Sequence, residues 1–268
     1  MKIEILISTT DRTDDNFIKP MFKDVNLSEV DILIINQCIN IPKPSNLESS
    51  HPNVRIISCE ERGLSKSRNR ALRESKNEIL IPTDDDVVFT KDVISTVHSK
   101  FLNDNSLDIA TFQVATPDGG FFKPYSKDIF KHNKKSILKV SSIEIAIRSS
   151  SLKNSSLHYD ELFGLGSTYP SGEENIFLMD AIKSGLKMKY FPEITAIHPL
   201  ESSGKNINES MLNTKGAVFS RLFGQIAIIY LFYFALKKRK IIKSNGISLI
   251  QSLKLVLKGL NQYRQLVK

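Results

Sequence analysis

The chain has 268 residues, of which 41% are hydrophobic and 25% are charged. These values suit a packed globular protein and exclude disordered, collagen-like and polytopic membrane proteins. The formal net charge of +8 comes entirely from the C-terminal part, because residues 204–268 hold 12 lysines and arginines against the single acidic residue Glu209, whereas residues 1–203 are slightly acidic.

Short β-rich runs alternate with helical patterns over the first 200 residues, which is typical of a mainly parallel sheet flanked by helices. The predicted strands are Ile3–Ser8, Asp31–Asn36, Val54–Ser58, Glu78–Ile81, Leu107–Val114, Ser142–Ile147 and Leu186–Phe191. Residues 64–72 predict an amphipathic helix entered from Gly63, with its cations on the outer face. The apolar run of the first strand is too short for a signal peptide, so we expect a cytoplasmic protein.

Three adjacent carboxylates, Asp84, Asp85 and Asp86, follow the fourth predicted strand. Like charges held together raise each other's pKa unless a cation lies between them. Oxygen ligands suit Mg²⁺ or Mn²⁺, which in proteins typically take one or two carboxylates together with substrate phosphates. The alternative is a solvated acidic loop or a helix cap.

A glycine-rich stretch, Phe163–Gly166, is followed by Gly172, Glu173 and Glu174 at the start of a predicted helix. Glycine lets the backbone pass close to a ligand. A carboxylate at a helix N-terminus is stabilised by the helix dipole, so the two glutamates act either as capping residues or as a general base.

A single histidine, His198, follows the last predicted strand. Most histidines in such a position are surface or core residues. A neutral imidazole is also a metal ligand, and His198 would then complete the coordination of a metal held by Asp86.

The composition changes near Ser202–Gly204, where we place the boundary between a domain of residues 1–203 and a helical tail of residues 204–268. The apolar run Leu222–Leu236 is shorter than the roughly 20 residues of a membrane span. Four cations, Lys237–Lys240, follow it, and a second helix is predicted over Ile247–Val267. The tail therefore predicts either peripheral binding to an anionic membrane surface or a helical pair that packs on the first domain or on a second subunit. Nucleic-acid binding is disfavoured because few cations alternate with the aromatic residues of the tail.

These clusters, in this order and spacing, resemble the family 2 glycosyltransferases of the GT-A fold over roughly residues 1–203. The segments that carry the resemblance are Ile5–Thr10, Glu61–Asn69, Thr83–Asp86, Tyr159–Gly166, Gly172–Asn175 and His198. The resemblance implies a Rossmann-like α/β domain with a mixed, mainly parallel sheet flanked by helices and followed by a C-terminal helical extension. It also implies an inverting, metal-dependent transferase that moves a sugar from a nucleoside diphosphate sugar, with a UDP-sugar as the expected donor.

The resemblance further implies which residues contact the nucleotide sugar. These residues follow the first strand or lie in the Gly63 segment and the later glycine motif. They are Ser8, Thr9, Thr10, Arg12, Gly63, Ser65, Asn69 and Gly166. Arg68 would meet a phosphate, or else remain a solvated helix cation. One position departs from the family pattern, because the second strand ends in the amides Asn36 and Gln37 where members usually carry an acidic residue; either amide can bond a pyrimidine edge.

The resemblance also assigns the acidic residues. Asp84 would face the ribose or the metal, and Asp85 and Asp86 would bind Mn²⁺ or Mg²⁺, with Asp85 also near the donor. Spacing leaves open which of the three binds the metal directly. Glu174, or else Glu173, would be the catalytic base.

The acceptor implied by the tail and the resemblance is a hydroxyl of a glycan or lipid-linked molecule, as in surface polysaccharide synthesis. Two alternatives are a nucleotidyltransferase with a related sheet and a non-catalytic carbohydrate-binding relative. The first would need a glycine-rich phosphate loop after the first strand, where residues 9–13 contain no glycine. The second would be expected to lack Asp86 or Glu174, and both are present.

Overall fold

A computed structural model describes residues 1–42, 47–199 and 207–268 of the chain. Within these ranges, nine strands form one mixed sheet. They are β1 (Ile3–Thr10), β2 (Asp31–Gln37), β3 (Val54–Cys59), β4 (Ile79–Asp84), β5 (Val88–Phe89), β6 (Ile109–Ala115), β7 (Phe130–Lys131), β8 (Ile145–Arg148) and β9 (Met188–Ile197). The order across the sheet is β3-β2-β1-β4-β8-β6-β9-β5, and β7 pairs with β9.

The sheet is parallel in its first half and mixed in its second. Strands β3, β2, β1 and β4 are mutually parallel, whereas β8 runs antiparallel to both β4 and β6. The parallel strands are apolar on both faces because helices or loops cover both sides. Successive residues of β1 show this: Leu6 belongs to one core cluster and Ile5 and Ile7 belong to the cluster on the opposite face.

Eight helices accompany the sheet in the described part of the chain. They are α1 (Ile18–Met21), α2 (Leu64–Glu74), α3 (Val93–Asn103), α4 (Ser149–Ser155), α5 (Glu173–Lys183), α6 (Glu209–Phe223), α7 (Ala227–Ser244) and α8 (Leu249–Leu266). The predicted α/β class, with helices flanking a mixed sheet and a C-terminal helical extension, is confirmed.

One predicted strand begins later than its sequence pattern indicates. Residues Ser142–Glu144 form a 3-10 helix, and the strand starts at Ile145. A capping box causes the difference, because the Ser141 side chain accepts from the backbone of Glu144 while the Glu144 side chain accepts from the backbone of Ser141.

The orientation predicted for α2 was wrong for part of its polar surface. The pattern places the cations outside, yet Arg68 is 2% exposed and Asn69 is also buried. Both side chains find partners inside the protein, and those contacts offset the cost of removing polar groups from water.

The first C-terminal helix packs directly on the sheet domain. Ala217, Val218 and Leu222 of α6 share a core cluster with Phe177 of α5. Arg221 of α6 forms ion pairs with Asp160, at 2.8 Å, and Asp180, at 2.6 Å. Helices α6–α8 thus continue the fold, while the boundary predicted at Ser202–Gly204 lies outside the described residues.

The described residues contain one helical stretch, Glu209–Ser244, that is long and apolar enough to cross a membrane by length and composition alone. The stretch is not one straight helix. Gly224 ends α6 with a positive φ of 57°, and a 3-10 turn over Gly224–Ile226 separates α6 from α7. Neither α6, with 15 residues, nor α7, with 18 residues and the cations Lys237–Lys240, matches the roughly 20 apolar residues of a typical span.

Candidate active site

A cavity of about 790 Å³ opens at the carboxyl ends of β1 and β4. In α/β sheets, ligands bind at this edge, where loops and helix ends converge. Most of the predicted site residues line it: Ser8, Thr9, Thr10, Gly63, Arg68, Asp84, Asp85, Asp86, Gly166, Glu173, Glu174 and His198. Five segments that are far apart in the sequence therefore meet in one place.

The three adjacent aspartates point to three different partners. Asp84 accepts from the Arg68 Nη2 at 2.8 Å. Asp85 accepts from the Arg12 Nη2 at 2.6 Å and from the Thr9 hydroxyl. The Asp86 Oδ2 lies 3.2 Å from the His198 Nε2. Protein cations and donors thus relieve the repulsion within the triplet.

Asp86 and His198 form the pair best placed to meet a metal ion. The Asp86 side chain is 65% exposed to the cavity, whereas the His198 ring is only 12% exposed and packs edge-on against Phe122 at 5.5 Å. The hydrogen bond between them lowers the pKa of Asp86 and raises the pKa of His198.

The donor set fits a metal that shares its coordination with a substrate. Across residues 1–42, 47–199 and 207–268, no group of three or more His, Cys, Asp or Glu side chains is arranged to hold a metal. A carboxylate oxygen and an imidazole nitrogen nevertheless converge at Asp86 and His198. Mn²⁺ accepts both donor types, and ions such as Mg²⁺ bind through one or two protein ligands with water and phosphate oxygens in the remaining positions.

Arg68 connects the aspartates to the glutamates. Its Nη2 donates to Asp84, and its Nη1 donates to Glu173 at 2.9 Å. Its guanidinium also lies over the ring of Tyr159, 5.6 Å from the centroid. Because both terminal nitrogens are taken by buried or half-buried carboxylates, Arg68 is an internal bridge and not the solvated cation that was one sequence-based alternative. Arg68 also lines the cavity, so its contact with a phosphate stays a prediction.

The adjacent glutamates at the start of α5 have different surroundings. Glu173 is buried and paired with Arg68. Glu174 lines the cavity and is partly exposed. Burial, followed by the charge of Glu173, raises the pKa of Glu174 to about 8. A carboxylate with a pKa near the working pH is suited to accept a proton from a weakly acidic group.

Two glycines allow the loops beside the cavity to cross closely. Gly63 and Gly166 have φ values of 121° and 78°, and a Cβ on Gly166 would lie 3.3 Å from the Gly63 Cα. The Leu64 amide donates to the Leu165 carbonyl at 2.8 Å across this crossing. The crossing fixes the N-terminus of α2 at the cavity. The approach predicted for the glycine motif was to a ligand, and that part stays a prediction.

Four predicted substrate contacts are not among the residues that line the cavity. Asn36 accepts from the Arg12 amide and donates to the Arg12 carbonyl, both at 2.9 Å. Ser65 donates to the Phe163 carbonyl at 2.6 Å, and Asn69 binds both backbone groups of Tyr159. Arg12 itself reaches Asp85. These side chains hold the loops that shape the cavity.

Several residues that line the cavity were not predicted from the sequence as substrate contacts. Arg62 and Leu165 stand inside the motifs that the sequence singled out, so they follow from the neighbouring glycines. Gln37, which lines the cavity and donates to the Gly63 carbonyl at 3.1 Å, takes the place predicted for either amide at the end of β2. Ser141 and Ser142 line the cavity from the start of the 3-10 helix before β8, whereas the sequence pattern predicts Ser142 as the first residue of a strand.

A second cavity, of about 750 Å³, adjoins the first. Arg62 and Gly166 line both, and the second is completed by polar and charged side chains: Lys66, His158, Asp160, Glu161, Ser167, Thr168 and Arg221. The two spaces therefore share the wall made by the glycine crossing.

The family model described as glycosyl transferase family 2 matches residues 6–158. This range includes the aspartate triplet and ends before Glu173, Glu174 and His198. No curated protein matches the chain in sequence.

Solved structures of TarS from S. aureus have the same fold. TarS 1–349 in complex with UDP-GlcNAc is 15% identical, with a TM-score of 0.67, covering 100% of this chain and 82% of that chain. TarS 1–349 in complex with UDP is 14% identical, with a TM-score of 0.61, covering 92% and 74%. A longer TarS structure is 14% identical, with a TM-score of 0.65, and this chain spans about half of its length, 49%.

Proposed function

The chain belongs to glycosyl transferase family 2 and is a glycosyltransferase, and we propose that it moves a sugar from a nucleoside diphosphate sugar to a hydroxyl of a glycan or lipid-linked acceptor. One observation carries the proposal: a single cavity is lined by the Asp86–His198 pair and by the carboxylate of Glu174. The nucleotidyltransferase alternative is set aside by the family.

The donor is proposed to be a UDP-sugar. Two solved neighbours are titled as complexes with UDP-GlcNAc and UDP. In this chain, Ser8, Thr9 and Thr10 at the end of β1 and the amide of Gln37 at the end of β2 offer neutral hydrogen-bonding groups at the cavity wall. Amides and hydroxyls of this kind suit the edges of a base and a ribose.

We propose that Asp86 and His198 hold Mn²⁺ or Mg²⁺. A bound ion would stabilise the negative charge that develops on the departing diphosphate. Asp84 and Asp85 stay oriented by Arg68 and Arg12, so they shape the donor side of the cavity.

Glu174 is proposed to be the general base. An acceptor hydroxyl is too weakly acidic to attack unaided, so its proton passes to the Glu174 carboxylate as the oxygen bonds to the anomeric carbon. The bond from that carbon to the diphosphate breaks with its electron pair on the leaving phosphate oxygen. Attack from the face opposite the leaving group gives inversion.

The acceptor is proposed to reach Glu174 near the wall shared by the two cavities. The second cavity adds space lined by hydroxyl, carboxylate and cationic side chains, which are typical partners of sugar hydroxyls. Synthesis of a surface polysaccharide on a lipid carrier is the role that agrees with this acceptor class and with a cytoplasmic, membrane-associated enzyme.

The C-terminal helices are proposed to bind the membrane peripherally. One face of α7 exposes the apolar residues Ile228, Ile229, Phe232, Tyr233 and Leu236. The cations Lys237–Lys240 follow directly on the same helix. An apolar face beside clustered cations is complementary to an anionic lipid surface. A homo-oligomer is the alternative occupant of this face.

A calorimetric titration with UDP, CDP and GDP, each with and without Mn²⁺, tests the donor and metal proposals together. We expect UDP to bind most tightly, and only when Mn²⁺ is present. Equal binding of all three nucleotides would overturn the uridine assignment. Binding of UDP that is indifferent to Mn²⁺, Mg²⁺ and chelator would overturn the metal assignment.

A further inference from the structure

The helix α6 lies against the N-terminus of α5, where the two glutamates begin. Gly172, the residue before Glu173, has no side chain, and a Cβ there would lie 2.6 Å from the Val218 Cγ2. The Val218 side chain of α6 therefore packs directly on the backbone at the start of α5. Arg221, one turn further along α6, fixes the same contact through Asp180 of α5.

Lys215 stands one helical turn before Val218 on α6. Residues three or four apart share one face of a helix, so Lys215 is carried to the α5 N-terminus by the contact that places Val218 on Gly172. Its side chain is half-buried. Burial lowers the pKa of its ammonium. The charges of Glu174 and Glu173 raise that pKa, and the effect of Glu174 is the larger of the two.

Charged residues on α5 itself and on two other helices act on Glu174. Glu173 on α5 raises the pKa of Glu174, whereas Arg68 on α2 and Lys215 on α6 lower it. Arg68 is already engaged by Asp84 and Glu173. On the far side, Lys238 of α7 repels Lys215. Lys215 is therefore the cation near Glu174 whose ammonium is not held in another ion pair among the described residues.

We propose that Lys215 is a positioning residue for Glu174, so that the C-terminal helices complete the reaction site as well as extending the fold. This inference rests on the role of Glu174 in the proposed function. The ammonium attracts the carboxylate form of Glu174 and opposes the repulsion from Glu173. It opposes the rise in the pKa of Glu174 that burial and the second carboxylate cause, so a larger fraction of the side chain can accept a proton at a given pH.

The test is a carboxyl ¹³C NMR titration of the full chain labelled at glutamate Cδ, in the absence of any nucleotide. The signal that disappears in Glu174→Gln identifies Glu174. We expect Lys215→Met to raise the pKa of Glu174 by about half a unit or more, since a nearby cation is removed. Lys215→Arg keeps the charge and should restore the original pKa. Lys258→Met, which removes an exposed lysine of α8, is the matched control and should change nothing.

An unchanged Glu174 titration in a folded Lys215→Met protein would overturn the inference, as would an equal shift in Lys258→Met. If Lys215→Met does not fold, Lys215→Gln with the same titration decides. Release of UDP from UDP-GlcNAc, measured on the same samples across pH, tests the proposed function separately. The inference predicts that the increase in the rate of UDP release with pH occurs at higher pH in Lys215→Met. In Lys215→Arg it should occur at the same pH as in the unsubstituted chain. Absence of release from the unsubstituted chain would count against the donor or the reaction, whereas the NMR titration would still decide the role of Lys215.

Discussion

Two neighbouring glutamates, Glu173 and Glu174, have different surroundings and are suited to different roles. Glu173 faces inward and shares the Arg68 guanidinium with Asp84. A buried ion pair of this kind stabilises only while both partners remain, because either one alone is an uncompensated buried charge. Glu174 lines the cavity and carries the raised pKa. The first residue is therefore suited to hold the site, and the second to react.

Replacing Glu174 by Gln should preserve donor binding and lower turnover by roughly 10²–10⁴-fold, the usual contribution of a positioned general base. The amide has the same shape and cannot accept the proton. UDP-GlcNAc binding by calorimetry and UDP release by a coupled assay measure the two effects. Glu173→Gln is the matched comparison, and it should lower the melting temperature by disrupting the pair with Arg68. A larger loss of turnover in Glu173→Gln, at unchanged stability, would assign the base to Glu173.

The pH dependence of the reaction should show the raised pKa of Glu174. The base works in its deprotonated form, so the rate is low below the pKa and rises as pH increases through about 8. Initial rates of UDP release from about pH 6 to about pH 9.5, on both sides of that pKa, measure this limb. The limb should be lost in Glu174→Gln. A rate that falls with rising pH over this interval would contradict the assignment.

Replacing Asp86 by Ala should remove metal-dependent nucleotide binding and leave the fold intact. Its side chain is mostly exposed and its ion-pair partner in the described structure is His198, so the domain loses little packing. Calorimetry of UDP with Mn²⁺ and a thermal melt measure the two effects. Asp128→Ala removes an exposed carboxylate that does not line the cavity and serves as the control. Undiminished Mn²⁺-dependent binding in Asp86→Ala would exclude Asp86 as a ligand.

Among the elements, the C-terminal helices depend on two glycines that bring backbones into contact. A Cβ on Gly216 of α6 would lie 1.9 Å from the Val256 carbonyl oxygen, and one on Gly259 of α8 would lie 1.8 Å from the Asn213 carbonyl oxygen. The obstructing atoms are backbone, so they cannot move aside as a flexible side chain does. The crossing of α6 and α8 is therefore specified by the absence of side chains at these two positions.

Gly216→Ala should destabilise the protein although alanine is the better helix former. The gain in helix propensity is about 1 kcal/mol, whereas forcing an extra methyl into a packed contact costs typically 1–3 kcal/mol and more when backbone must shift. A lower melting temperature is the expected result. Lys254→Ala, at an exposed position of α8, should stay within about 0.5 kcal/mol of the unsubstituted chain. A Gly216→Ala protein that melts at or above the original temperature would contradict the close crossing.

The sequence predicts the elements best where local pattern and final packing agree. The run that forms β1 and the helix that starts at Glu173 are both marked by local signals, namely a continuous apolar strand and acidic residues after a glycine. The pattern fails where distant partners decide. Arg68 has the sequence context of a solvated cation and is buried because Asp84 and Glu173 come from other elements. Asn36 and Ser65 likewise bind backbone groups that no spacing in the sequence reveals.

At the scale of the whole molecule, charge and apolar surface are separated along the chain and in space. The positive excess lies in residues 204–268, and the cavity lies at the sheet edge with its aspartates and glutamates. The α6 face that meets α5 is buried, while the α7 face that bears Ile229 and Tyr233 is exposed, at 69% and 61%. We therefore propose different roles for the two helices: α6 supports the proposed reaction site, and α7 binds a partner outside the chain.

The tail should bind anionic vesicles through α7. Each cation near an anionic surface adds about 1 kcal/mol at modest salt, and burial of the exposed apolar face adds a contribution that salt does not screen. We expect cosedimentation with vesicles containing anionic lipid that high salt weakens without abolishing, and much weaker sedimentation with neutral vesicles. Replacing Lys237, Lys238, Arg239 and Lys240 by Gln should remove the dependence on lipid charge, whereas Lys254→Gln with Lys258→Gln on α8 is the matched control. Cosedimentation that does not depend on lipid charge, or no cosedimentation at all, would contradict peripheral binding. In that case analytical ultracentrifugation tests the alternative. A concentration-dependent dimer that is lost in Ile229→Ser would assign the α7 face to a second copy of the chain.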